Sequence, residues 1–135
     1  MSYDNVWEDR GVVTRFSGVV TGAEYLQSSR DIAADPRLDE LRFVIKDFSQ
    51  ATMIDIGSEI LDELAAIRFG VQATNPGARI LLVGADPEVA RLAETLRQPP
   101  LDGSHETRAF ASIEEARRWF AVQPWLPTHM NYPHV

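Results

Sequence analysis

The four-residue run Ile80-Leu81-Leu82-Val83 has no polar face, and this constrains the fold more than any other stretch of the chain. A strand with apolar side chains on both sides belongs inside a sheet, where it is covered above and below. Its flanks set its length. Asn75-Pro76-Gly77 ends whatever precedes it, and Asp86-Pro87 opens a helix, with Pro at the first helical position, where a missing N–H costs nothing. Val89, Leu92, Ala93 and Leu96 then form a helical stripe that Pro99-Pro100 stops.

The same alternation runs through the rest of the chain. Val12 to Ser17 reads as a strand with Val12, Thr14 and Phe16 on one face and Arg15 and Ser17 on the other. Tyr3 to Glu8, then Asp9-Arg10-Gly11, reads as its hairpin partner and a tight turn. Thr21-Gly22-Ala23-Glu24 has capping-box spacing and opens a helix that closes at Asp35-Pro36. Arg42 to Phe48 is a second interior strand, and Ser49 to Gly57 is expected to be a loop. Ile60, Leu64, Ile67 and Val71 mark the longest helix, with Ser58 as its expected N-cap. His105 to Phe110 alternates like an edge strand, with His105 expected to be exposed. Ser112-x-x-Glu115 caps a last short helix whose inward residues are Ile113, Ala116 and Phe120.

Strands alternating with capped helices imply crossover connections and an α/β fold with a mixed, mainly parallel sheet. A length of 135 residues suits one domain, here residues 1–122, followed by a Pro- and aromatic-rich tail at 123–135.

Composition excludes several functions. A net charge of −7, with twelve dispersed Arg and a single Lys, Lys46, gives no phosphate-neutralising surface for nucleic acid. The absence of Cys removes disulfides, thiolate metal sites and cysteine nucleophiles together. His129 and His134 lie five apart in a Pro-broken tail with no completing ligand, so no metal and no cofactor is expected. Glycine motifs for nucleotides and a nucleophile elbow are missing, so the expectation is not an enzyme. No apolar run reaches the roughly 20 residues of a membrane span, and Met1 to Arg10 is polar and acidic. The expected location is the cytoplasm.

In order and spacing, Gly11-Val12-Val13-x-x-Phe16-Ser17-Gly18-Val19-Val20-Thr21, Asp35-Pro36-Arg37-Leu38-Asp39, Val44-Ile45-Lys46-Asp47-Phe48-Ser49, Asn75-Pro76 and Phe110-x-Ser112-x-Glu114-Glu115-Ala116 resemble the SpoIIAA-like family of small bacterial proteins. The resemblance covers roughly residues 6–122. It implies the STAS fold, a small mixed sheet with about four helices packed mostly on one side, and a regulatory or protein-interaction role. It also implies, as an alternative, carriage of a small apolar or amphipathic ligand in a CRAL-TRIO-like pocket. Phosphorylated antagonists carry Asp-Ser-Ser-Gly where this chain reads Asp55-Ile56-Gly57-Ser58. Gly57 therefore takes the phosphoacceptor position, and Ser58, one residue displaced, is the remaining candidate for phosphorylation.

In a parallel sheet, Asp47, Ser49, Thr52, Asp55, Ser58 and Asp86 would gather at one rim as a ligand or partner site. Their bland reading is that Asp55 and Asp86 cap helices and Asp47 holds a loop. Met53, Ile54, Leu61 and Phe69 are the expected lining of an apolar pocket. Trp119, Phe120, Trp125 and Tyr132 suggest an aromatic patch, packed on the chain itself or on the second subunit of a homodimer.

Overall fold

The structure, a computed structural model, describes residues 2–103 and 105–124. Trp125 and Tyr132 lie outside the described residues. β1 (Tyr3–Glu8) and β2 (Gly11–Thr21) form the expected hairpin, with Arg10 in the left-handed region at φ 59°. α1 (Gly22–Ala33) leads back to β3 (Phe43–Asp55), α2 (Leu61–Thr74) to β4 (Arg79–Val83), and α3 (Pro87–Leu96) to β5 (Thr107–Phe110). α4 (Ile113–Ala121) follows. The strands stand in space in chain order, β1-β2-β3-β4-β5, with β1 antiparallel and the other pairings parallel.

The two sheet faces hold separate cores. On one, Val12, Phe16, Val20, Val44, Phe48, Ile80 and Leu82 pack against α1, α2 and α3. Phe16, Tyr25 and Phe48 stack there, the Phe16 and Phe48 rings 4.7 Å apart. On the other face, Val13, Ile45, Leu81 and Val83 meet Ala116 of α4. The doubly apolar β4 is thus covered on both sides, as its sequence requires. Trp119 packs on Phe110 and lies beneath the Arg108 guanidinium at 4.8 Å, while Phe120 meets Phe43 edge-on at 4.9 Å. Arg117 of α4 forks onto the Glu8 carboxylate of β1 at 2.6 and 3.0 Å.

The capping box at Thr21 and Glu24 is complete, and Asp86 caps α3 by accepting from the Glu88 N–H at 2.9 Å. Ser112 accepts from the Glu115 N–H, but the Glu115 carboxylate reaches the Ala111 N–H instead of closing a second box.

Two expectations about the middle of the chain need correction. Ser49 to Asp55 is strand, not loop: β3 continues as far as Asp55, paired to β2 alone once β4 has ended opposite Asp47. Ser58 is not an N-cap. Gly57 holds the cap position of a single 3₁₀ turn, Ser58–Ile60, and α2 starts behind it without a side-chain cap.

Candidate functional site

Beyond Phe16 and Asp47 the sheet narrows to a two-stranded parallel ribbon formed by the ends of β2 and β3. Register shifts between Arg15 and Ser17 and between Gly18 and Val19 twist it, and Gly18 sits at φ +68°, where a Cβ would be strained. Val19 and Met53 are register partners on this ribbon, 50% and 54% exposed. Ile54 and Ile56 turn the other way, onto the core. The ribbon ends at Asp55 and passes into the turn that carries the exposed Ser58.

The predicted rim is therefore spread out. Asp47 accepts from the Ser49 N–H at 2.9 Å and the Ser49 hydroxyl at 2.6 Å, a local contact within β3 beside the end of β4. Asp86 follows β4 and caps α3. Asp55 and Ser58 lie eight or more residues further along from Asp47, at most about 26 Å down a strand to Asp55. Thr52 is exposed on the ribbon between them. The expected pocket lining is also dispersed, because Phe69 is 80% exposed and Met53 faces solvent, leaving Ile54 and Leu61 half-buried against the core.

A second site lies under α1 and α2, and sequence reasoning missed it. Lys46 is 3% exposed, Arg68 6% and His105 6%, and all three line one cavity of about 50 Å³ against the sheet. The expectation that His105 is exposed is thus wrong: the chain entering β5 turns it inward, where Nε2–H donates to the Asn75 carbonyl at 2.7 Å and Nδ1 has no partner among the described residues. Asn75 in turn donates to the Leu38 and Leu41 carbonyls, tying the end of α2 to the α1–β3 connection.

Lys46 shares the helix-covered face of β3 with Val44 and Phe48, opposite Thr14 of β2. Its Nζ donates to the Ser28 hydroxyl at 2.9 Å and the Ser29 hydroxyl at 3.3 Å, and lies 5.0 Å from the Tyr25 ring centre. The Ser28 hydroxyl donates in turn to the Tyr25 carbonyl at 2.7 Å. Burial first, then the neighbouring Arg68, push Lys46 down to about 7, while Asp31 pulls weakly the other way. Burial likewise lowers His105 and raises Tyr25, whose hydroxyl faces Arg68. The signal available in the sequence was parity: Lys46 alternates in phase with Val44 and Phe48, and Arg68 follows Leu64 by one helical turn.

Among the described residues, no group of three or more His, Asp and Glu could hold a metal ion, and no helix is long and apolar enough to cross a membrane.

With this geometry in hand, two solved structures superpose over nearly their whole length. One is the anti-sigma factor antagonist SpoIIAA in its unphosphorylated form: TM-score 0.58, 15% identity, covering 90% of this chain and 99% of that one. The other is the Bacillus cell fate determinant SpoIIAA in its phosphorylated form: TM-score 0.53, 14% identity, covering 87% and 98%. The chain has the SpoIIAA (STAS) fold. No protein-family model matches the sequence, and no curated protein matches it. The expected mixed sheet with helices mostly on one side is therefore correct, α4 being the helix on the opposite face. Within the SpoIIAA fold of this chain, the turn after β3 offers Gly57 as a cap and Ser58 as an exposed hydroxyl between Asp55 and Glu59.

Proposed function

We propose that this protein is a non-catalytic regulatory module that works by protein–protein contact through the far end of the β2–β3 ribbon and the turn that follows. The observation that carries this reading is the exposed pair Val19 and Met53, side by side on a ribbon whose outer backbone edges have no strand partner among the described residues. Large apolar side chains on an open strand edge form an adhesive surface that soluble chains usually blunt with charge. The SpoIIAA likeness supports it at the level of fold, since that protein is described as an anti-sigma factor antagonist. Ser58 belongs to the same surface. A phosphate there would stand between Asp55 and Glu59, and like-charge repulsion would weaken contact with an acidic partner.

The test is site-specific photocrosslinking in the host, with the crosslinker at Met53 and, as a control, at Asp102 on the α3–β5 connection. One partner captured from position 53 and lost when Val19→Asp is added to the same chain is the expected result. Capture from position 102 alone, or undiminished capture in a folded chain carrying Val19→Asp, overturns the reading.

The cavity favours a second reading, a carrier of a small apolar or amphipathic ligand, in a place other than the one the sequence suggested. Native mass spectrometry of protein purified from its host tests it through added mass that disappears on denaturation.

A further inference from the structure

A cavity of about 50 Å³ has room for roughly four waters or a molecule of comparable size. Its walls are aliphatic, with Val44, Leu64 and Ile80 among them. Into this apolar space the fold brings Lys46 and His105 beside Arg68, which is itself engaged and donates to the Thr107 hydroxyl at 3.4 Å, yet no Asp or Glu is buried among the described residues. Buried charge is ordinarily paired, because an uncompensated ion loses hydration that the protein interior does not replace. Here the Lys46 ammonium donates only to neutral groups, the Ser28 and Ser29 hydroxyls, and lies over the Tyr25 ring, while Asp31 of α1 acts on it only as a more distant charge. His105 Nδ1 has no partner among the described residues, while Nε2 is held by Asn75. The two groups come from β3 and from the entry to β5, so local chain geometry does not account for their meeting. Both the charge and the shape of the site lack the same thing, an anion with an aliphatic body.

We propose that the cavity between α1, α2 and the sheet binds a short-chain monocarboxylate, whose carboxylate meets the cationic groups and whose hydrocarbon part lies against Val44, Leu64 and Ile80. A monoanion suits the site better than a phosphate dianion, whose larger hydration would have to be replaced almost wholly by aliphatic wall. The carboxylate accepts from Lys46 and, once His105 is protonated, from Nδ1–H, so each group gains the partner it lacks. This inference rests on the carrier reading and is independent of the contact surface on the ribbon.

The experiment is a titration of the methyl-labelled full chain followed by NMR, with sodium butyrate, sodium chloride and 1-butanol as separate probes. Saturable shifts confined to methyls such as Val44, Leu64 and Ile80, with butyrate binding more tightly than 1-butanol and chloride leaving them unmoved, are the expected result. Lys46→Met keeps the side chain's length without its charge. It is expected to weaken butyrate at least about tenfold and to turn the preference towards 1-butanol, since a charge-assisted hydrogen bond is replaced by an apolar contact. Equal binding of butyrate and 1-butanol, saturation by chloride alone, or unchanged butyrate affinity in Lys46→Met overturns the monocarboxylate inference and leaves the carrier reading standing. Absence of saturable binding by any of the three probes overturns the inference, and an unliganded native mass from the host then removes the carrier reading as well.

Discussion

Lys46 is the residue at which burial and charge disagree most. In the unfolded chain its amine titrates near 10.5, and in the folded protein at about 7. Between those values the unfolded state binds more protons than the folded one, so stability rises with pH, by up to about 1.4 kcal/mol per unit. Below about 7 both states are charged, the contribution stops changing, and the cost of burying the ammonium is fully present. The groups that face it are Tyr25 and Asp31 from α1, Arg68 from α2 and His105 from the approach to β5. Urea unfolding of wild type and Lys46→Met from pH 7 to pH 10 should therefore give a rising difference curve, with the variant the more stable at pH 7. A flat difference would show that Lys46 keeps an ordinary amine pKa when buried. Asn75 offers a second test at this scale. Asn75→Ala keeps the backbone contact to His105 but leaves the Leu38 carbonyl and the buried Leu41 carbonyl without their side-chain donor, at a cost of about 2 kcal/mol in chemical denaturation. These polar residues escaped pattern reading for a common reason. Periodicity detects apolar faces, and a buried Lys, Arg or His looks like an interruption of one.

At the scale of elements, β2 and β3 start side by side. Gly11 pairs with Phe43, whose ring covers it so tightly that a Cβ on Gly11 would lie 2.0 Å from the ring. Phe43 is wedged in turn against Phe120 of α4. Gly11→Ala must displace this stack, and about 1–3 kcal/mol of lost stability is expected, read as a lower urea midpoint at unchanged slope. A wild-type midpoint would mean that Phe43 has another rotamer at little cost. α3 was fully legible: Asp86 caps, Pro87 starts, and Val89, Leu92, Ala93 and Leu96 are buried. The second half of β3 was not. Gln50, Thr52, Met53 and Asp55 all face solvent, so no alternation survives in the sequence. Pairing with β2 holds this stretch extended, and one sequence read alone carries no sign of its partner. The candidate site suffered in the same way, since Asp47 and Asp55 can be placed at one rim only if β3 ends at Phe48.

For the whole molecule, the two faces of the sheet are covered unequally. Three helices shield one face, while α4 and its fork from Arg117 to Glu8 shield the other. A chain stopped after Phe110 would expose Val13, Ile45, Leu81 and Val83 together. It should express as insoluble material, judged by fractionation beside the full chain; a soluble monomer would mean that α4 is dispensable. With α4 in place, Trp119 and Phe120 remain half-exposed on that side, and we propose that they meet a second copy of the chain, the homodimer expected from the sequence. Sedimentation velocity should then give twice the 15.1 kDa chain mass. A monomer at every concentration would remove the dimer.

The spatial order of the strands has a consequence for how the protein is born. Because each strand pairs with the one made just before it, every ladder can close as soon as its second strand is synthesised. The parallel pairings still join segments separated by a whole crossover, such as Gly11 with Phe43, which slows folding, but a chain emerging from the ribosome can add each strand and helix to a sheet already begun. The exception is α4, the last described helix to be synthesised, which covers strands completed long before it. Throughout synthesis one apolar side of the nascent sheet stays open, and this is the interval in which the protein would lean on a chaperone.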